Sequence, residues 1–114
     1  MRRQPKTARE AAFVVLQRTR QGAWSDGTLK QVIRDAQLSR RESALCSRIC
    51  YGVQQNQLLL EYWMSQFSRV RVDKLESTVR TALAMGMYQA ALMDRIPEHS
   101  AVSEWLIEQI KTKT

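Results

Sequence analysis

Four cations crowd the start of the chain, Arg2, Arg3, Lys6 and Arg9, and Glu10 is the only carboxylate before Asp26. Arginine and lysine ahead of a helix oppose its dipole, which favours negative charge at that end, so the arrangement has a small stability cost. What it gains is chemistry: a basic arm next to a helix N-terminus attracts phosphate. With no aromatic residues among these cations, contact with a nucleic-acid backbone is expected rather than base stacking. A solvated tail that only aids solubility would carry the same residues. Arg40, Arg41 and Arg48, near Gln54, Gln55 and Asn56, form a second and weaker basic stretch of the kind exposed helix faces normally show.

Other chemistry is poorly provided for. Cys46 and Cys50 lie four apart, on one face of a helix, and no further Cys or His cluster completes a metal site. Buried, reduced thiols are the expectation. His99 is the sole histidine and has no evident nucleophile to activate. The glycines, at 22, 27, 52 and 86, are scattered, and neither phosphate-cradling glycine motif is present. No pair of carboxylates is brought together by spacing. No catalytic residue, no metal ligand and no bound cofactor is therefore assigned to this chain.

The 114 residues suit one domain with one core. Their composition, 44% hydrophobic and 25% charged, is that of a globular protein. Net charge is +7, and five of those seven charges fall within residues 1–20, which hold six basic groups and Glu10. An anionic partner is expected, nucleic acid before an acidic membrane surface. The longest apolar run is Ala11–Leu16, far short of the roughly 20 residues that span a bilayer. Residues 1–6 lead into no signal-peptide core, so a cytoplasmic, soluble chain is expected.

The elements that must position these residues read as helices. Thr7-Ala8-Arg9-Glu10 has the capping-box form, and Ala8, Ala11, Ala12, Val15, Leu16 and Thr19 follow at helical spacing up to a stop at Gly22. Ser25 or Asp26 opens a second helix bearing Leu29, Val32, Ile33 and Ala36. Ser39-Arg40-Arg41-Glu42 is another capping box, ahead of the stripe Leu45, Cys46, Ile49, Gly52 and Val53. Leu59, Leu60, Trp63, Met64 and Phe67 mark a fourth helix able to run on from the third. Ser68–Val72 alternates but lacks a partner strand and reads as an extended loop. A fifth helix starts at Asp73 or Ser77, with Val79, Ala82, Leu83, Gly86, Met87 and Ala90 on its inner side and Gly86 as a close helix–helix contact. Pro97 opens a sixth with Ala101, Val102, Trp105, Leu106 and Ile110. Trp63, Phe67, Trp105 and the methionines are expected in the core. The class is all-α, and since the last stripe ends just before the chain does, a bundle lacking its final helix is expected.

Several stretches together resemble one family. Ala8-Arg9-Glu10-Ala11-Ala12 is similar to the opening of the NusB family of helical RNA-binding domains. Leu45 to Val53, ending Tyr51-Gly52-Val53, resembles the family's aromatic-Gly-Val segment, and Leu60-Glu61-Tyr62-Trp63 its Leu-Asp-aromatic-aromatic segment. Val79-Arg80 through Gly86-Met87-Tyr88-Gln89 resembles its helix with Arg early and Gly-x-Tyr-Gln late, and Arg95 to Glu104 its Ile-Pro motif and following helix. The resemblance implies two packed three-helix bundles over residues 1–114, with residues 1–7 as a basic arm and Arg2, Arg3, Lys6 and Arg9 as RNA contacts. Two departures stand out. The family's later Asn-x-Val-Leu-like segment is missing from Lys111–Thr114, and Trp105 replaces a small residue.

Tyr51-Gly52-Val53, Tyr88-Gln89 and Asp94-Arg95-Ile96-Pro97 resemble most the amino-terminal domain of small-subunit (16S) rRNA cytosine-C5 methyltransferases. That implies a non-catalytic RNA-binding domain, whose partners are 16S rRNA and a catalytic domain that uses S-adenosylmethionine. Cys46 and Cys50 are not the catalytic cysteines of such an enzyme, since they fall inside the helical domain. Two other readings stay open: a free-standing antitermination factor binding boxA-type RNA with a protein partner, and a helical homodimer module with an apolar groove at Leu83, Met87, Val102 or Leu106.

Overall fold

A computed structural model describes residues 4–22 and 26–93. Among the described residues there are five α-helices and no strand, in keeping with the all-α expectation. The expected sixth helix, with Trp105, lies outside them.

Helix α1 spans Ala8–Arg20. Thr7 caps it from an extended conformation, its Oγ1 accepting the Glu10 N–H at 3.1 Å, a contact worth about 1 kcal/mol. The return half of the capping box is displaced by one residue: the Glu10 carboxylate accepts the N–H of Lys6, at 2.7 Å, in place of Thr7. The helix ends ahead of Gly22 as expected, although Gly22 does not take a left-handed conformation.

Helix α2, Asp26–Ala36, ends in a Schellman motif. The Leu38 N–H reaches the Ile33 carbonyl at 3.3 Å and the Gln37 N–H the Arg34 carbonyl at 3.1 Å, with Gln37 left-handed at φ 55°. That conformation costs a residue with a Cβ about 1–2 kcal/mol. Gln37→Gly is therefore expected to stabilise the fold by about 0.5–1 kcal/mol, after allowing for glycine's greater freedom when unfolded. Chemical denaturation measures it, and a lower midpoint would show that the Gln37 side chain contributes more than the backbone relief returns.

Helix α3 spans Arg40–Gln55 and α4 spans Gln57–Phe67. They are separate helices. At Asn56 the backbone leaves the helical path, at φ −113° and ψ 20°. Its side-chain amide donates to the Gly52 carbonyl at 2.8 Å. The segment after α4 forms no strand, as expected, and passes through a short 3₁₀ turn at Val72–Lys74. Helix α5 then runs Ser77–Met87 and continues into a π-helical turn, Tyr88–Leu92.

The chain divides into two compact units between Tyr51 and Gly52. The first is built on Ala8, Ala11, Ala12, Val15 and Leu16 of α1, Leu29 and Val32 of α2, and Cys46, Ile49 and Cys50 of α3, all buried. Alanines on the inner face of α1 allow its backbone to approach its neighbours closely, while Ile49 and Val15 supply the volume. Each large side chain so buried stabilises the unit by about 1.5–3 kcal/mol.

The second unit buries Val53, Leu60, Trp63 and Met64 with Ala84, Met85, Met87, Tyr88 and Ala90. Here the expected inner face of α5 is corrected in part. Met87 and Ala90 are buried as expected, but Val79, Ala82, Leu83 and Gly86 are exposed, and Thr81, Ala84, Met85 and Tyr88 are buried in their place. Gly86 is not a packing contact either: a Cβ at that position would meet nothing within 4 Å. The close approach occurs at Gly52, where a Cβ would collide with the ring of Tyr88.

Candidate nucleic-acid interface

Of the four opening cations, Arg2 and Arg3 lie outside the described residues. Lys6 and Arg9 are exposed on either side of Thr7, at the first turn of α1. Two backbone donors of that turn have side-chain acceptors: the Glu10 N–H donates to Thr7 Oγ1, and the Ala8 N–H points at the Glu42 carboxylate at 3.4 Å. The Glu10 carboxylate takes the Lys6 N–H, ahead of the cap. Glu42 belongs to the second capping box, where its own N–H donates to Ser39 Oγ at 3.1 Å. Its side chain does not return to Ser39 but crosses to α1. The helix N-terminus expected to join the arm in attracting phosphate is thus already supplied with protein carboxylates, which suit its dipole.

Arg40, Arg41 and Arg48 are exposed on α3. Arg41 and Arg48, seven residues apart, share a helix face.

Cys46 and Cys50 are buried free thiols. The Cys50 thiol lies 3.9 Å from the Ala12 carbonyl. Its hydrogen bond with Cys46, together with burial, pushes its ionisation far above the ordinary thiol range, which keeps it protonated and chemically quiet. Among the described residues no group of three His, Cys, Asp or Glu side chains could hold a metal ion. No described helix is long and apolar enough to cross a membrane.

Tyr51, the aromatic residue of the Tyr-Gly-Val segment, donates its hydroxyl to Asp26 Oδ1 at 2.6 Å. This hydrogen bond raises the ionisation of the phenol, because losing the proton would remove the donor and place two negative charges side by side.

Sequence reasoning missed a second surface altogether. Beside α4 lies an open groove of about 570 Å³, lined by Leu58, Tyr62, Arg69, Val70, Arg71 and Arg80 among others. Leu58 is 84% exposed and Tyr62 50%. Arg80 pairs with Glu61 at 2.9 Å in a half-buried setting, and Arg71 with Asp73 at 3.1 Å in an exposed one. The legible signal was Arg69-Val70-Arg71 following an exposed aromatic on the preceding helix. It was obscured because Tyr62 sits next to Trp63, which is buried.

The comparisons with known proteins follow the same lines. A family model described as the NusB family matches residues 6–113. The chain is 30% identical over 82 residues to the "Probable ribosomal RNA small subunit methyltransferase B" of Bacillus subtilis, covering 72% of this chain and 18% of that protein. A protein of the same description from Synechocystis is 26% identical over 98 residues, covering 85% of this chain and 22% of its own length. The chain therefore spans about a fifth of the curated relatives it matches. No solved structure matches it significantly. The contact of Gly52 with Tyr88 joins two of the stretches on which the resemblance rests, and with the match running almost end to end, the chain belongs to the NusB family.

Proposed function

We propose that this chain is a non-catalytic RNA-binding domain that directs a small-subunit rRNA methyltransferase onto its substrate. The observation that carries the reading is the pair of relatives, both described as ribosomal RNA small subunit methyltransferase B and both matched over about a fifth of their length. Family membership and the concentration of positive charge in residues 1–20 support it. In this reading methyl transfer and S-adenosylmethionine belong to a separate catalytic domain. The residues here do not suit that cofactor: Gly52 is filled by the Tyr88 ring, Gly86 lies on a helix, and the sequence has no glycine-rich loop.

RNA is captured through its phosphates by the arm, and the folded helices fix the direction from which it arrives. Arg2, Arg3, Lys6 and Arg9 are the proposed contacts. Replacing all four with alanine is expected to flatten the dependence of RNA affinity on salt, by about 0.7 in the log–log slope for each phosphate of a single strand left without its cation. Fluorescence anisotropy with fragments of small-subunit rRNA, over a series of salt concentrations, measures that slope. An unchanged slope would remove the arm as the contact surface. Absence of binding by the unaltered protein at low salt would overturn the RNA-binding reading itself.

A further inference from the structure

We infer that the groove beside α4 is a second RNA subsite, taking a single-stranded segment with a base stacked on Tyr62 and phosphates on Arg69 and Arg71. The inference rests on the RNA-binding reading above and adds to it a surface remote in sequence from the arm.

The outer face of α4 presents Leu58, 84% exposed, and Tyr62, half exposed, as an apolar and aromatic surface. The wall opposite is a loop held in shape by its own hydrogen bonds. Ser68 closes α4 through its N–H to the Met64 carbonyl at 2.9 Å. Its hydroxyl then donates to the Val70 carbonyl at 2.6 Å and accepts the Val70 N–H at 3.1 Å. The loop thus presents Arg69 and Arg71 from a pinned backbone, which reduces the ordering needed on binding.

Charge selects the ligand. Three arginines line the groove against Glu61 and Asp73. Glu61 is engaged by Arg80. Asp73 holds Arg71 in a pair whose side chains are 78% and 59% exposed, and such a pair is weak enough for a phosphate to replace. Arg69 has no ion pair among the described residues.

An anionic ligand with a flat aromatic part satisfies both walls at once. Single-stranded RNA has that make-up, since its unstacked bases can lie on a tyrosine ring while the backbone follows the cations. Bases stacked within a duplex cannot reach Tyr62.

The test is anisotropy titration of the protein with a labelled single-stranded RNA and with the matching duplex. Tyr62→Ala is expected to weaken single-strand binding about ten-fold, and Tyr62→Phe, which keeps the ring, to stay within about two-fold of the unaltered protein. Arg69→Ala with Arg71→Ala should lower the salt slope by about 0.7 for each phosphate no longer neutralised. Since these side chains are exposed, unchanged thermal melts will show that the variants are folded. If Tyr62→Ala and the double arginine variant bind as the unaltered protein does while the arm variant has lost affinity, the groove is overturned and the RNA-binding reading stands. If the unaltered protein binds no RNA, both fall. Duplex bound as tightly as single strand would also overturn the groove.

Discussion

Gly52→Ala is expected to lower the unfolding free energy by about 2 kcal/mol, measured by chemical denaturation. Alanine is ordinarily the better helix former by about 1 kcal/mol, and Gly52 lies within the last turn of α3. Here the methyl group would occupy the space of the Tyr88 ring. Tyr88 is itself buried, at 8% exposure, so the ring can yield only by disturbing its surroundings. Overpacking of this sort costs about 1–3 kcal/mol, occasionally more. The control is Gly86→Ala, where nothing lies within 4 Å of the new methyl. That change should stabilise the protein by about 0.5–1 kcal/mol, as in any exposed helix interior. One substitution at two helical glycines should thus act with opposite signs. Adding Tyr88→Leu to Gly52→Ala should recover part of the loss, the signature of direct contact in a double-mutant cycle. A stabilising Gly52→Ala would show that the ring does not occupy that space.

The largest loss is expected at Leu60, where Leu60→Ala should cost about 2–5 kcal/mol. Leu60 is 1% exposed and lies in the second unit with Met64 and Trp63. Its neighbour but one, Leu58, is 84% exposed. Two residues along an α-helix correspond to a turn of about 200°, so the two leucines face nearly opposite ways. Leu58→Ala should therefore change stability by no more than about 0.5 kcal/mol. Thermal melts will separate the pair, with Leu60→Ala lowering the midpoint by roughly 10–20 °C. Equal effects at the two positions would contradict the orientation of α4.

These sites also mark how far the sequence could be read. Helices α1 to α3 were legible because charged and apolar residues separate cleanly around them. The positions expected inside, such as Ala11, Val15, Leu29, Cys46 and Ile49, are inside. In α5 the separation fails. Val79, Ala82 and Leu83 lie on one side and Ala84, Met85 and Met87 on another, so spacing alone favours neither, and the buried Thr81 argues misleadingly for the wrong one. The close contact was expected at Gly86 rather than at Gly52 for a related reason. A glycine's neighbours are set by tertiary contacts, and Tyr88 lies 36 positions from Gly52. At the candidate interface, the basic arm was evident from composition, but the groove was not. It depends on a loop folded back on its own serine and on which of two adjacent aromatics, Tyr62 or Trp63, faces outward.

The carboxylates at the start of α1 bear on how quickly an anion can be taken up and let go. A phosphate approaching that helix end meets two carboxylates, Glu42 at the Ala8 amide and Glu10 at the Lys6 amide just ahead of the cap. Their negative charge opposes its settling against the backbone donors there. The pull left to the neighbouring cations is Coulombic, reaching about 8 Å at physiological ionic strength. Forces of that reach act mainly on the encounter, raising the association rate without greatly lengthening the lifetime of the complex. An arm working this way is suited to rapid sampling of many phosphates, and leaves the duration of contact to whichever surface closes around a base.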